Sequence, residues 1–320
     1  MESNDLFDPR PKVKKNVLPT NPEAKTEGRI VNNGRCPSWL HRKLPKGDLL
    51  WKTNKILDQD HLPTVCEEAK CPNLLECFSK KTATFLTLGK ECTRNCGFCD
   101  IDFSKAPKAL DPQEPQKVAL ASKKLGLKHV VLTMVARDDL SDGGARQLSK
   151  IIGEIRKEVP EGTVEVLTSD FEENYDAIDT VISSDIKIFN YNLETVRELT
   201  PRVRHKATYE RTLNILKYVK KKAPHLLIKS GIMVGLGETK EQVFEALVDL
   251  QKAGCDVVTI GQYLQPNPKK LRVKAFITPK EFEEYSTYGR KIGIKFVYSG
   301  PFVRSSYNAD LVQRKFEESK

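Results

Sequence analysis

Cys92, Cys96 and Cys99 form a Cys-x-x-x-Cys-x-x-Cys run, with Phe98 directly before the last thiol. Three thiolates at this spacing can hold three corners of a 4Fe–4S cube. One iron is then left without a protein ligand and is open to a substrate or a cofactor. A second triplet lies upstream: Cys66, Cys71 and Cys77, with four and then five residues between its members. Six of the eight cysteines thus fall in two tight groups. An even cysteine count also allows disulfides, but close triplets suit a metal site better than a covalent staple. Zinc is the stronger rival. Structural zinc wants four closed ligands, commonly from paired Cys-x-x-Cys knuckles, and neither triplet has that form, so ligand logic favours iron–sulfur. Cys255 lies in Gly254-Cys255-Asp256-Val257-Val258, at a helix-to-strand junction, and reads as a small buried hydrophobe. Cys36 receives no role.

The elements that must position these thiols follow from periodicity. From Thr82 onward strands and helices alternate. Strands are predicted at Thr82 to Leu88, His129 to Val135, Thr163 to Thr168, Ile186 to Phe189, Leu226 to Val234 and Val257 to Leu264, with a possible seventh at Ile294 to Tyr298. Apolar stripes at helical spacing lie between them: Val118, Ala121 and Leu125; Leu148, Ile151, Ile152, Ile155 and Val159; and Val243, Phe244, Leu247 and Leu250. Gly126 and Gly254 stand where C-cap glycines belong. Such alternation implies an α/β fold with parallel strands and helices on the outer face. Six units make an open, partial barrel, with chemistry at the C-terminal strand ends. The Cys92 triplet follows the first strand and falls on that face.

Arg304-Ser305-Ser306-Tyr307 lies near the C-terminus. With this motif and the two triplets in their order, the chain resembles the lipoyl synthases of the radical S-adenosylmethionine superfamily from about Pro37 to about Asp310. The resemblance implies a partial (β/α)6 barrel over 81–300, an N-terminal extension over 36–80 and a C-terminal segment over 301–320. It implies two 4Fe–4S clusters and S-adenosyl-L-methionine. The cluster at Cys92, Cys96 and Cys99 would bind the methionine moiety through its open iron. The auxiliary cluster would be held by Cys66, Cys71, Cys77 and a serine of the C-terminal motif, taken as Ser306. An alkoxide is harder than a thiolate and suits iron less well, so a serine ligand would let one iron leave. Phe98, Thr133, Asn192 and Arg204 are the implied cofactor contacts. Phe98 also reads as a loop aromatic packed on the barrel rim, and Arg202 with Arg204 as a surface pair.

Three positions depart from the family pattern. Met134 and Ala136 stand where a Ser and an Asp are usual, and Tyr191 replaces a His. The first two remove polar groups from a strand end that should approach the cofactor. Tyrosine keeps an aromatic ring and a polar tip but loses imidazole's proton chemistry. Gly231 to Glu238 is Gly-rich, but it lacks the Lys-Ser/Thr pair of a phosphate-binding loop.

The activity so implied is radical insertion of sulfur at carbons six and eight of an octanoyl group on a carrier lysine. The carriers would be acyltransferase subunits of 2-oxoacid dehydrogenases or the glycine cleavage H protein, with an external electron donor. A paralogue acting on another alkyl substrate and a two-cluster electron carrier are the alternatives.

The chain has 320 residues and 39% hydrophobic content, enough for one large core or two modest domains. No apolar run approaches the roughly 20 residues of a membrane span. Net charge is +10, but no basic stripe interleaves with aromatics, so nucleic acid is not expected. The acidic residues Glu2, Asp5 and Asp8 argue against a mitochondrial transit segment, and the expected compartment is the cytoplasm. Residues 1–35 are polar without sustained period and are expected to form a flexible arm. Residues 52–80 are expected to wrap irregularly, and nothing asks for more than a monomer.

Overall fold

A parallel strand covered on both faces reads as a near-continuous apolar run, and seven such runs build the central sheet. The computed structural model describes residues 29–31, 34–41, 49–59, 61–80 and 82–306. Most of the expected arm, and Tyr307 onward, lie outside the described residues.

The chain enters through β1 (Arg29–Val31) and three helices, α1 (Leu49–Gln59), α2 (Val65–Glu68) and α3 (Leu74–Ser79). Next come β2 (Thr84–Thr87), the two-residue strands β3 (Glu91–Cys92) and β4 (Asp102–Phe103), α4 (Glu114–Leu125) and β5 (His129–Met134). Then follow α5 (Ala145–Glu158), β6 (Thr163–Leu167), α6 (Tyr175–Ile182), β7 (Ile188–Asn190), α7 (Thr200–Val203) and α8 (Tyr209–Lys222). The described chain closes with β8 (Leu227–Val234), α9 (Lys240–Lys252), β9 (Val257–Gln262), β10 (Ala275–Ile277), α10 (Pro279–Lys291) and β11 (Phe296–Gly300).

The seven-stranded sheet runs β2-β5-β6-β7-β8-β9-β11, every pair parallel and every strand beside its neighbour in sequence. Repeated βα units in that order curl a sheet towards a barrel. Among the described residues no ladder joins β2 to β11, so the barrel stays open. The seventh strand does join, pairing with β9. Threonines fix three helix starts: Thr208, Thr239 and Thr278 accept hydrogen bonds from the amides of Arg211, Gln242 and Glu281. The expected stripes face inward, with Leu148, Ile151, Ile152 and Ile155 all buried.

Two expectations change. The segment 52–80 is largely helical, not an irregular wrap. Thr53 and Leu57 bury one side of α1, and the Thr53 hydroxyl donates to the Phe78 carbonyl at 2.8 Å. Thr64 caps α2 through the Glu67 amide. Residues 29–31 of the expected arm form β1, antiparallel to β10, and the Arg29 guanidinium pairs with Glu281 at 2.9 Å. Around Trp39, Leu40 is buried, whereas Trp51 is 60% exposed.

One polar knot lies inside the barrel. Glu165, Lys229 and Asn190 are fully buried on the inward side of β6, β8 and β7. The Lys229 ammonium donates to both Glu165 oxygens, at 2.8 and 3.1 Å, and the Asn190 amide donates to one of them at 3.1 Å. His129 lies 3.4 Å from the other oxygen. Burial opposes the Glu165 charge, but Lys229 and His129 outweigh it and hold the carboxyl down to about 2. Lys229→Met should therefore destabilise the fold by about 3–5 kcal/mol, because it strands a buried carboxylate. Glu165→Leu combined with Lys229→Met should recover most of that loss in urea unfolding. Because the folded pKa is depressed, the wild-type contribution is complete above the ordinary glutamate range. It should disappear as pH falls towards about 2.

Candidate active site

The Cys92–Cys99 loop leaves the top of β2 and is gripped from four directions. Thr93 donates to the Ala136 carbonyl through both its amide and its hydroxyl, each at 3.0 Å, and accepts from the Asp138 amide. The Gly97 amide donates to the Val203 carbonyl at 3.0 Å, and the Leu271 amide donates to the Gly97 carbonyl at 2.9 Å. Arg94, buried within the loop, reaches Asp138 at 2.7 Å and Asp170 at 2.5 Å. Burial works against the Asp170 charge, and Arg94 overrides it, holding the carboxyl down to about 2. Nothing in the cysteine spacing announced Arg94. The available signal was a cation between two candidate ligands, with acids waiting in Arg137-Asp138-Asp139.

The upstream triplet stands on the short helices. Cys66 lies in α2, Cys77 in α3 and Cys71 in the turn between, with its amide on the Cys66 carbonyl at 2.9 Å. Lys70, beside Cys71, pairs at 2.7 Å with Asp100, beside Cys99, so one ion pair ties the two cysteine loops together. Asn73 donates its side-chain amide to the Phe302 carbonyl at 2.8 Å, which draws the C-terminal segment to the same place.

These elements enclose a cavity of about 820 Å³. Cys66, Cys71, Cys77, Cys92 and Cys99 line it, as do Phe98, Thr133, Asn192, Ser305 and Ser306. Burial and the adjacent Cys71 push the Cys66 thiol up to about 12 and the Cys77 thiol up to about 11. Burial likewise lifts Cys96 to about 11, against the opposing charge of Arg204, and Cys99 to about 12. At neutral pH these thiols are protonated, and only a metal would hold them as thiolates. Thiols are the donor type that an iron–sulfur cluster takes, and members of both triplets line this cavity.

Two glycines let the C-terminal segment close over the strands. A Cβ on Gly261 would lie 2.0 Å from the Val303 carbonyl oxygen, and one on Gly231 would crowd Asn192 Oδ1 at 2.9 Å and Ser305 Oγ at 3.0 Å. The Ser305 hydroxyl donates to Asn192 Oδ1 at 3.0 Å, and Asn192 in turn donates to Glu194 at 3.0 Å. Ser306 also faces the cavity. Glu194 holds left-handed backbone, φ +70°, fixed by Gly231 and Met233 on β8. That conformation costs about 1–3 kcal/mol and is retained at a cavity wall, as strained residues at working sites are. Burial raises the Glu194 carboxyl above the ordinary range, opposed by Arg204 and Asn192. Sequence reasoning passed over Glu194, since only its backbone marks it.

Arg204 does not line the cavity. Its guanidinium donates to the Asn192 carbonyl at 2.6 Å, bonds the Tyr191 hydroxyl and stacks over that ring at 4.6 Å. It acts on Cys96 and Glu194 by its field from behind the wall. Burial raises the Tyr191 phenol to about 12 despite Arg204, and its hydroxyl and ring both brace Arg204. Met134 and Ala136 line the cavity and make that wall apolar. Cys255 is buried in the core, as expected of a small hydrophobe, and Cys36 is exposed.

Residues 86–250 match the family model of the radical SAM superfamily. A lipoyl synthase from Protochlamydia amoebophila (strain UWE25) is 61% identical over 310 residues, 96% of either chain. One from Chlamydia muridarum (strain MoPn / Nigg) is 50% identical over 295 residues, 92% of this chain and 95% of that one. Among solved structures, methylornithine synthase superposes with a TM-score of 0.50 at 14% identity, covering 73% of this chain and 80% of that one. The Streptococcus suis SuiB complex with S-adenosylmethionine gives 0.53 at 12% identity, covering 67% and 49%. These structural likenesses concern the fold.

Arg94→Met should leave Asp138 and Asp170 only the longer ionic contacts to Lys206 (3.6 Å) and Arg211 (3.3 Å), lower the unfolding free energy by about 1–3 kcal/mol and reduce the iron retained after reconstitution. Calorimetry and iron analysis measure the two effects. Cluster loading should release protons and quicken as pH rises from about 7 to 9, because the raised thiols must ionise to bind. A pH indicator in weak buffer reads that release.

Proposed function

The chain belongs to the lipoyl synthase family of radical S-adenosylmethionine enzymes, and from that premise we propose how its residues share the work. The family activity is sulfur insertion, and the family implies a 4Fe–4S cluster and S-adenosylmethionine. Cys92, Cys96 and Cys99 would hold that cluster. When bound, the pair supplies a 5′-deoxyadenosyl radical able to take hydrogen from an unactivated methylene. A second, auxiliary cluster is the sulfur substrate, held by Cys66, Cys71, Cys77 and Ser306. The observation that carries this reading is that five of the six triplet thiols, Cys66, Cys71 and Cys77 with Cys92 and Cys99, line one cavity.

The remaining residues orient and enclose. Phe98 offers a ring to the adenine and also packs against Leu271 and Val203 in the rim cluster. Thr133 and Asn192 present polar atoms to the methionine and ribose. Arg204 braces Asn192 from behind and biases the cluster loop by its charge. The apolar wall of Met134, Ala136 and Leu86 suits an alkyl chain and keeps water from a radical. Ser305 is engaged by Asn192, which favours Ser306 as the fourth auxiliary ligand. Within the extensions 36–80 and 301–320, the described residues 61–80 and 301–306 act as one unit on the barrel, supported by the Asn73–Phe302 bond.

The substrate is an octanoyl group on a carrier-domain lysine, from an acyltransferase subunit of a 2-oxoacid dehydrogenase or the glycine cleavage H protein. Carbons six and eight each receive sulfur. Family membership favours this enzyme over a two-cluster electron carrier. A cytoplasmic protein fits the eight free thiols. Among the described residues no helix is long and apolar enough to cross a membrane.

The deciding assay supplies reconstituted enzyme with an octanoyl-lysyl peptide, reductant and S-adenosylmethionine, and weighs the peptide by mass spectrometry. Two added sulfurs are expected; an unmodified octanoyl group beside 5′-deoxyadenosine formation would refute the substrate assignment. Cys71→Ala should keep cofactor cleavage, lose sulfur gain and reduce bound iron from about eight to about four. Cys96→Ala should abolish both reactions.

A further inference from the structure

Arg29 and Glu238 lie 209 residues apart in the chain and side by side in the fold. The strand β1 brings them together by pairing with β10, Arg29 opposite Ile277. All three guanidinium nitrogens are engaged. Nε donates to Glu281 Oε1 at 2.9 Å, Nη2 to the Tyr285 hydroxyl at 2.8 Å, and Nη1 to the Glu238 carbonyl. Glu281 and Tyr285 are buried on α10. The Glu238 carboxylate, also buried, lies 3.7 Å from the guanidinium. It accepts from the Gly235 amide at 2.6 Å and from the Leu236 amide at 2.9 Å. One cation from the far N-terminal side thus links α10 to the turn that follows β8.

That turn borders the cavity. Met233, just before it, lines the cavity, and Leu236 packs in one apolar cluster with Met233, Tyr263 and Phe98. Gly235 takes φ +99°, and a Cβ there would collide with Gln262 Nε2 and stand 2.5 Å from the Ala275 carbonyl oxygen. The turn therefore has no slack on its inner side. Gln262, another lining residue, donates to the Ala275 carbonyl at 3.0 Å and accepts from the Ile277 amide at 2.8 Å. So β1 supports this wall by two routes: through Glu238 to Leu236, and through β10 to Gln262.

We propose that Arg29 is a positioning residue for the adenine end of S-adenosylmethionine. It locks Glu238, and Glu238 holds the Gly235–Leu236 turn against the Phe98 cluster, so the apolar shelf for the base is set before the cofactor arrives. The inference rests on the reading of Phe98 as the neighbour of the adenine. A wall fixed in advance has less freedom to lose on binding, and affinity gains by that amount. The methionine end, assigned to the open iron, lies outside this device. Lysine in place of Arg29 would keep the charge but not the planar fork that serves three acceptors.

Equilibrium dialysis of the reconstituted, unreduced holoenzyme measures binding without turnover. Arg29→Met should weaken 5′-deoxyadenosine, which carries the base, about tenfold, the worth of roughly one positioned contact. S-adenosylmethionine should weaken by a similar factor, while methionine alone binds as it does to the wild type. Arg29→Lys should recover part of the loss. In turnover, KM for S-adenosylmethionine should rise more than kcat falls. An unchanged affinity for 5′-deoxyadenosine in Arg29→Met, at wild-type iron content, would overturn the proposal. So would equal losses for methionine and 5′-deoxyadenosine, which would make Arg29 a general brace of the fold. Should Arg29→Met fail to fold, Arg29→Lys carries the same comparison between the two ligands. A wild-type holoenzyme that binds neither S-adenosylmethionine nor methionine would instead locate the error in the parent reading, and the adenine shelf would fall with it.

Discussion

Thiols from two cysteine groups must face one enclosed space, although they come from parts of the chain that share no strand. That constraint organises the top of the molecule. Three contacts meet it: Lys70 with Asp100 joins the two cysteine loops, Asn73 with Phe302 brings in the C-terminal segment, and Ser305 with Asn192 seats that segment on the barrel. None is a large energy alone. Lys70 is well exposed, and such a pair contributes about 1 kcal/mol at most. Their value is geometric, since each closes a long loop across the cavity mouth.

The barrel below is stabilised differently. Strands β2, β7 and β9 are buried along their whole length, and apolar burial supplies the driving force. Against that background Glu165 and Lys229 are an expensive inclusion, because a buried ion pair recovers its desolvation cost only when fully hydrogen-bonded. Here Asn190 and His129 complete the set. Arg94 with Asp138 and Asp170 repeats the device higher up, where it fastens a loop that has no regular secondary structure to lean on.

Much of this was legible in the residues. The βα alternation and apolar stripes fixed a parallel sheet and its helices, because period and burial are tied by geometry. The cysteine triplets were legible because few other residue types can hold iron. The helices before β2 were not, since Thr53 supplies one of their buried positions and carries no apolar signal. Arg204 read as a cofactor contact because charge near a strand end invites that view; its hydrogen bonds turn it towards Tyr191 and the Asn192 carbonyl instead. Glu194 was invisible, since a left-handed backbone at a non-glycine residue arises from tertiary packing on β8.

The closure of the cavity by residues 302–306 has a bearing on biogenesis. A ribosome delivers Cys66 to Cys99 some two hundred residues before Ser305 and Ser306. Domains tend to fold from the N-terminus as they emerge, so the barrel and its first thiol loop can mature while the wall opposite is still missing. The pocket is therefore complete only after residues 302–306 have been made and docked.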